Sequence, residues 1–228
     1  PLLVQYGQYL LRLLQGDLGI SLFNHRPVVT IIAEQLPSTI ALAVASMIVA
    51  TGLGISLGII AAARRNTWLD RLATTISATG VSLPIFWSSL LLVWLLSLHL
   101  GWLPATGQGE VAHLVMPALV LGFASSGAVA RLVRTSLLEV MDQDFVRTAR
   151  AKGLREGALM LRHALKNALI PVITMIGLQF GFLLGGTVVT ETIFSRQVIV
   201  KLMINSILWK DFPVVQGVVL LAALVYTI

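Results

Sequence analysis

The 228-residue chain is 57% hydrophobic and 11% charged, where soluble domains carry about 25% charged residues, and its mean hydropathy is +0.89. That balance excludes an ordinary soluble domain. The net charge of +6 is gathered in short segments between apolar runs, the pattern of an integral membrane protein rather than a nucleic-acid face, and with no cysteine the chain forms no disulfide or thiolate metal site.

In chain order, Leu2, Leu3, Tyr6, Tyr9, Leu10, Leu13 and Leu14 recur at helical spacing. They predict a short amphipathic helix ended by Gly16-Asp17-Leu18-Gly19, lying on the membrane surface or packed on the spans. The first charge-free run is Gln35–Ala63, ample for a span of about 20 residues, with Pro37 near its start. Gly54 and Gly58 form a small-residue ridge that lets another helix approach closely. Arg64, Arg65 and Arg71 mark a short basic loop. The next run predicts a helix over about Leu72–His99 with a kink or break at Ser82-Leu83-Pro84. Val111–Ala130 is a third span and Asn167–Thr190 a fourth, with Pro171 near its start and Gly177, Gly181 and Gly185 along one face. Phe212–Ile228 begins a fifth.

Segments 64–71 and 131–166 hold eleven Lys and Arg in 44 residues, whereas 1–34, 100–112 and 191–211 hold five in 68. The richer side is therefore expected to be cytoplasmic. Residues 1–34 then form an extracytoplasmic amphipathic segment, 35–228 a transmembrane domain, and 191–211 an extracytoplasmic segment within it. The first residues fall outside, so a protein starting in the cytoplasm needs one span upstream, and six are expected in the full chain. The expected fold class is an all-α polytopic transmembrane helical bundle, with about five spans in the present sequence.

No predicted span contains Asp, Glu, Lys or Arg, which argues against a proton relay. His25, His99, His113 and His163 are isolated singles, so no metal site is expected. The chain has no G-x-x-x-x-G-K-[ST] phosphate loop and is not expected to be an enzyme by itself. Its polar exception is Glu139–Pro171, where Asp142 or Asp144 can cap a helix over Phe145–Lys152 and Gly153 suits the left-handed position after it. Such a segment is either a solvated basic hairpin at the lipid headgroups or a docking element for another protein. At Ser82, Pro84, Phe86 and Trp87 a mid-span proline frees a carbonyl and aromatics could close a pore; the alternative is a kinked helix with buried aromatics.

The motifs RTARAKG and RHALKNALIP resemble the coupling loop of bacterial ATP-binding-cassette importer permeases, in the dipeptide, oligopeptide and nickel branch. GDLGISLFNHRPV (16–28), QLPSTIALAVA (35–45), GVSLPIFW (80–87), LPATG (103–107), GGTVVTETIF (185–194) and KDFPVVQG (210–217) are similar to the same branch, in order along nearly the whole chain. Three places depart from the pattern, one being the Leu-Pro that normally follows the loop's Gly, which is displaced, with Ile170-Pro171 further along. The usual Glu-Ala-Ala stands here as Arg147-Thr148-Ala149, and a frequent Pro-Gly pair after Phe194 is replaced by Ser195-Arg196-Gln197-Val198.

The resemblance implies a permease subunit of the bacterial inner membrane that forms half of a translocation pathway. Its partners would be a second homologous permease, two cytoplasmic ATPases, an extracytoplasmic solute-binding protein and membrane lipid, with no nucleic acid. The chain itself would hold no cofactor, ATP and Mg being bound by the ATPases. Within a cytoplasmic coupling loop at 131–170, Arg147, Thr148, Ala149, Arg150, Ala151, Lys152 and Gly153 would contact the ATPase. Peptides are the expected cargo, with nickel chelates or glutathione-like solutes as alternatives. A secondary transporter or channel module is the reading from a different class.

Overall fold

The computed structural model describes residues 2–184, 188–196 and 198–227, and among them the chain is helical without a strand. Helix α1 (Leu2–Leu14) leaves Tyr6, Leu10, Leu11 and Leu14 exposed, while Tyr9 and Leu13 are half-buried. Helix α2 (Val28–Ala63) has 36 residues, roughly 54 Å of helix against a hydrocarbon core of about 30 Å. It begins ahead of the Gln35 boundary and carries Glu34 and an interior Pro37 without breaking. Charge ends the apolar run but not the hydrogen-bond ladder, and so much helix must project from or tilt within the membrane.

After a turn at Asn66, whose φ is +64°, helix α3 (Trp68–Ser82) starts and stops at the Ser82-Leu83-Pro84 signal. Helix α4 (Ile85–Leu92), continued by a π-helical stretch over Val93–His99, leaves at 103° to α3. The sequence predicts a kink or break here, and the chain makes a near right-angled elbow. Pro84 has no N–H to continue α3, and Leu83 is held extended before it.

Helix α5 (Ala112–Met141) is the central post. It continues eleven residues past the predicted end at Ala130, so residues 131–141 are helix rather than loop. No glycine or proline intervenes, and Val133, Leu137 and Val140 prolong the buried stripe. Helix α6 (Asp144–Ala151) follows, then α7 (Glu156–Leu159), a π turn over Met160–Ala164, and α8 (Leu165–Leu184). Of the fourth predicted span, α8 is described as far as Leu184, and Thr190 belongs to the short α9 (Val188–Ile193). Helices α10 (Ile199–Leu208) and α11 (Phe212–Thr227) complete the described chain.

Among the described residues three helices are long and apolar enough to cross a membrane, four if the α3–α4 elbow is one span. The predicted fifth corresponds to the shorter α11. Ala43, Met47 and Ala50 of α2 pack on Ala118 and Leu121 of α5, and farther along α5 Val129, Val133 and Leu137 pack on Ala164, Ala168 and Val172. The α2–α5 crossing is close because it is built on glycine. A Cβ at Gly54 would lie 2.6 Å from Val129 Cβ, and one at Gly58 2.6 Å from Val133 Cβ. Gly122 of α5 returns the arrangement, its hypothetical Cβ lying 2.5 Å from Val49 Cβ of α2.

Candidate functional site

The α2–α3 turn, the C-terminal part of α5, α6 and the start of α7 share one end of the bundle, which collects the basic segments. At this end α6 is a two-turn helix with Val146 fully buried and the remaining side chains largely outward. Its N-cap position is Gln143, without a side-chain cap, rather than Asp142 or Asp144. Asp142 caps the end of α5, and Asp144 sits in the first turn, where it complements the helix dipole. Arg147 reaches Asp144 at 3.5 Å, and the Thr148 hydroxyl donates to the Asp144 carbonyl at 3.1 Å.

Gly153 has φ +81°, a conformation that costs L side chains strain. With it the helix closes: the Gly153 N–H donates to the Arg150 carbonyl at 2.9 Å and the Leu154 N–H to that of Ala149 at 3.3 Å. Arg150 then spans the turn to Glu156, Nε to Oε1 2.5 Å and Nη2 to Oε2 3.2 Å. This contact first, with the guanidinium's charge adding to it, holds the Glu156 carboxyl below its ordinary pKa. The pair is ionised at neutral pH, and what it adds is lost as pH falls through that lowered value; both partners are exposed, so the amount is small. Ala149 is half-buried, while Ala151 and Lys152 are exposed. From Glu156 the chain runs helically to Leu184. Arg147–Gly153 therefore form one compact peg joined by a tight turn to a long helix.

Ser82, Pro84, Phe86 and Trp87 come together at the α3–α4 elbow, and all four are exposed, the two aromatics by 53% and 46%. Buried aromatics are not what the chain forms there. Among the described residues nothing lies near enough to touch a Cβ added at Gly177, so packing between them does not explain its glycine. Gly181 is half-buried, and Gly185 lies outside the described residues.

Charged groups that sequence reading excluded from the spans do occur in the helices, at their ends. Asp70 near the start of α3 is buried and accepts both Arg134 Nε at 2.9 Å and Nη2 at 2.8 Å from α5, with the Asn66 N–H at 3.0 Å. The one hint in sequence is that Asp70 is the lone acid in the basic segment 64–71; its partner 64 residues away has no local signal. Replacing Arg134 by Gln leaves the carboxylate without its main donor. We expect a loss of about 2 kcal/mol, measured as a lower unfolding midpoint, with Asp70→Asn on the same background restoring part of it.

The opposite end is also tied across long sequence distances. Buried Asp211 accepts the Ser21 hydroxyl and, at 2.9 Å, the Leu22 N–H, while Phe23 stacks on Trp209 with centroids 4.3 Å apart. The Ile199 N–H donates to the Thr39 hydroxyl at 3.2 Å, and Arg196, itself buried, donates to the His113 carbonyl at 3.3 Å. Thus the segment at 16–28 is clasped to the turn before α11. Asp211→Ala should free it, read as faster proteolysis between Gly16 and Val28.

Residues 54–228 match the model of the family described as binding-protein-dependent transport system inner membrane component. The chain is 45% identical over 224 residues to the glutathione transport system permease protein GsiC of Salmonella paratyphi A (strain ATCC 9150 / SARB42), covering 98% of this chain and 73% of that protein. It is 44% identical, with the same coverage, to the GsiC protein of Escherichia coli (strain K12). In fold it is similar to an inward-facing structure of the MetNI methionine ABC transporter, with a TM-score of 0.67 at 18% identity, over 85% of this chain and 90% of that one. A helical bundle with several spans, no phosphate loop and this likeness across its length leads to one conclusion: the chain belongs to the binding-protein-dependent transport system inner membrane component family, as a non-catalytic permease subunit of an ABC importer.

Proposed function

We propose that the basic end of the bundle is cytoplasmic and that the α6 peg, Arg147–Gly153, seats in an ATPase subunit whose closure it passes to the spans. The observation that carries this reading is continuity. A compact helix is closed by Gly153, braced by Arg150–Glu156, and joined to helical chain running from Glu156 to Leu184. A loose loop would absorb motion, whereas a braced turn on a long helix moves it. A second permease would supply the other half of the pathway, with the exposed α8 face around Gly177 as the surface offered to it. The elbow at Ser82–Trp87, open on this subunit, would line the route.

For cargo, short peptides of the glutathione type are favoured over nickel chelates, since relatives matching 98% of the chain are named glutathione transport permeases. The test is ATPase stimulation in proteoliposomes holding the whole transporter and its binding protein. Glutathione or another short peptide should stimulate hydrolysis, and nickel chelates should not. Stimulation by nickel chelates alone would refute the cargo assignment.

A further inference from the structure

At the basic end, α2, α3 and α5 enclose a cleft of about 740 Å³. Three guanidiniums line it, those of Arg71, Arg131 and Arg134, with the hydroxyls of Thr74 and Thr135 and a single carboxylate, Asp70. Asp70 is committed to Arg134 through two hydrogen bonds. Arg71 and Arg131 make no ion pair among the described residues, so the cleft keeps an uncompensated positive charge.

Arg131 and Thr135 also border a second cleft of about 350 Å³ between α3, α5 and α8. Its other walls are apolar: Val81, Ala128, Leu132 and Met175. Val81, Ala128 and Met175 lie farther from the basic end than Arg131 along their helices, and Leu132 lies next to Arg131 on α5. Cationic and hydroxyl groups thus stand at the mouth of an apolar slot that leads toward the middle of the spans. The boundary between the two falls where the charge-free run of α5 ends, the depth at which a lipid changes from headgroup to acyl chain.

We infer that these adjoining clefts bind an anionic phospholipid. Its phosphate would sit between Arg71 and Arg131, with the Thr74 and Thr135 hydroxyls turning to it from the Asp70 carboxylate and the Arg131 carbonyl to which they now donate, and one acyl chain would fill the slot beside Leu132. Basic pockets between spans are suited to anionic headgroups. A zwitterionic lipid would bring its own cation against two guanidiniums, and a small soluble anion would leave the apolar slot empty, so a lipid with net negative charge fits best. The inference does not depend on the ATPase contact at α6 or on the cargo.

The test uses the full-length permease purified within its transporter complex, in bilayer nanodiscs of phosphatidylcholine with a minor fraction of phosphatidylglycerol. Lipid carried into the gas phase is counted by native mass spectrometry. Phosphatidylglycerol should be retained selectively. The double variant Arg71→Gln/Arg131→Gln should lower that retention about tenfold, from two headgroup-level charges. Leu132→Trp, which fills the slot without changing charge, should lower it as well. Arg64→Gln/Arg65→Gln, equal in charge but not lining the cleft, should leave it unchanged. Equal loss in that control, no loss in the cleft variants, or displacement of the lipid by soluble glutathione would each overturn the inference.

Discussion

Replacing Gly153 by Val should separate ATP hydrolysis from uptake while the permease still inserts and assembles. At φ +81° a β-branched side chain is strained by about 1–2 kcal/mol. Nothing lies within 4 Å of an added Cβ, so the cost is one of backbone conformation and not of collision. The cheapest relief is to leave the left-handed region, which breaks the hydrogen bonds from Gly153 to Arg150 and from Leu154 to Ala149. The Arg150–Glu156 brace then loses its geometry, and the peg is no longer fixed to the long helix. Uptake in proteoliposomes should fall by about tenfold, the equivalent of 1.4 kcal/mol, with ATPase activity largely kept. Gly153→Asn, which tolerates positive φ better, should fall between the two.

Gly58→Val should instead remove the permease from the membrane in folded form. Its Cβ would stand 2.6 Å from Val133 Cβ and 2.7 Å from the Ala130 carbonyl oxygen, at the close α2–α5 crossing. Overpacking of this kind costs about 3 kcal/mol, at the upper end because one neighbour is backbone and cannot change rotamer. The unfolding midpoint and the folded yield should both fall. Adding Val133→Ala removes the side-chain part of the clash and should recover some stability, with the carbonyl contact setting the remainder. Gly177→Val makes the contrast: with nothing near it among the described residues, stability of the isolated chain should hold. If that face meets a second permease, the same change should weaken pairing, and unaltered pairing would remove α8 from the proposed interface.

These two glycines show how far the sequence reaches. Gly54-x-x-x-Gly58 and Gly177-x-x-x-Gly181 carry the same message of close approach, but among the described residues a helix meets Gly54 and Gly58 whereas nothing meets Gly177. Spacing says that a helix can come near; it does not say which. Charge-free runs located the long helices, because a bilayer tolerates little else, yet they misplaced the ends. Helix hydrogen bonding continues through Arg131 and Arg134 to Met141 and back through Glu34 to Val28, where headgroups and water solvate charge. At Ser82-Leu83-Pro84 a break was legible from proline chemistry, but its 103° angle depends on what α4 packs against.

Of the candidate site, Gly153 and the basic face of α6 were legible because they are local. The pairings that fix both ends were not. Asp70 meets Arg134 and Ser21 meets Asp211 across separations of 64 and 190 residues, which no periodicity announces. A lone acid among arginines was the one available hint.

The central claim is that α6 and the helix beginning at Glu156 move as one body. Since the chain has no cysteine, spin labels can be placed at Asp144→Cys and Leu161→Cys, with Trp68→Cys as a reference on α3, all at exposed positions. Distances would be measured by electron spin resonance on the reconstituted transporter without nucleotide and trapped with ATP. The account predicts an unchanged 144–161 distance and a changed 144–68 distance. A 144–161 distance that shifts as much as 144–68 would mean that the turn at Gly153 flexes, and would contradict it.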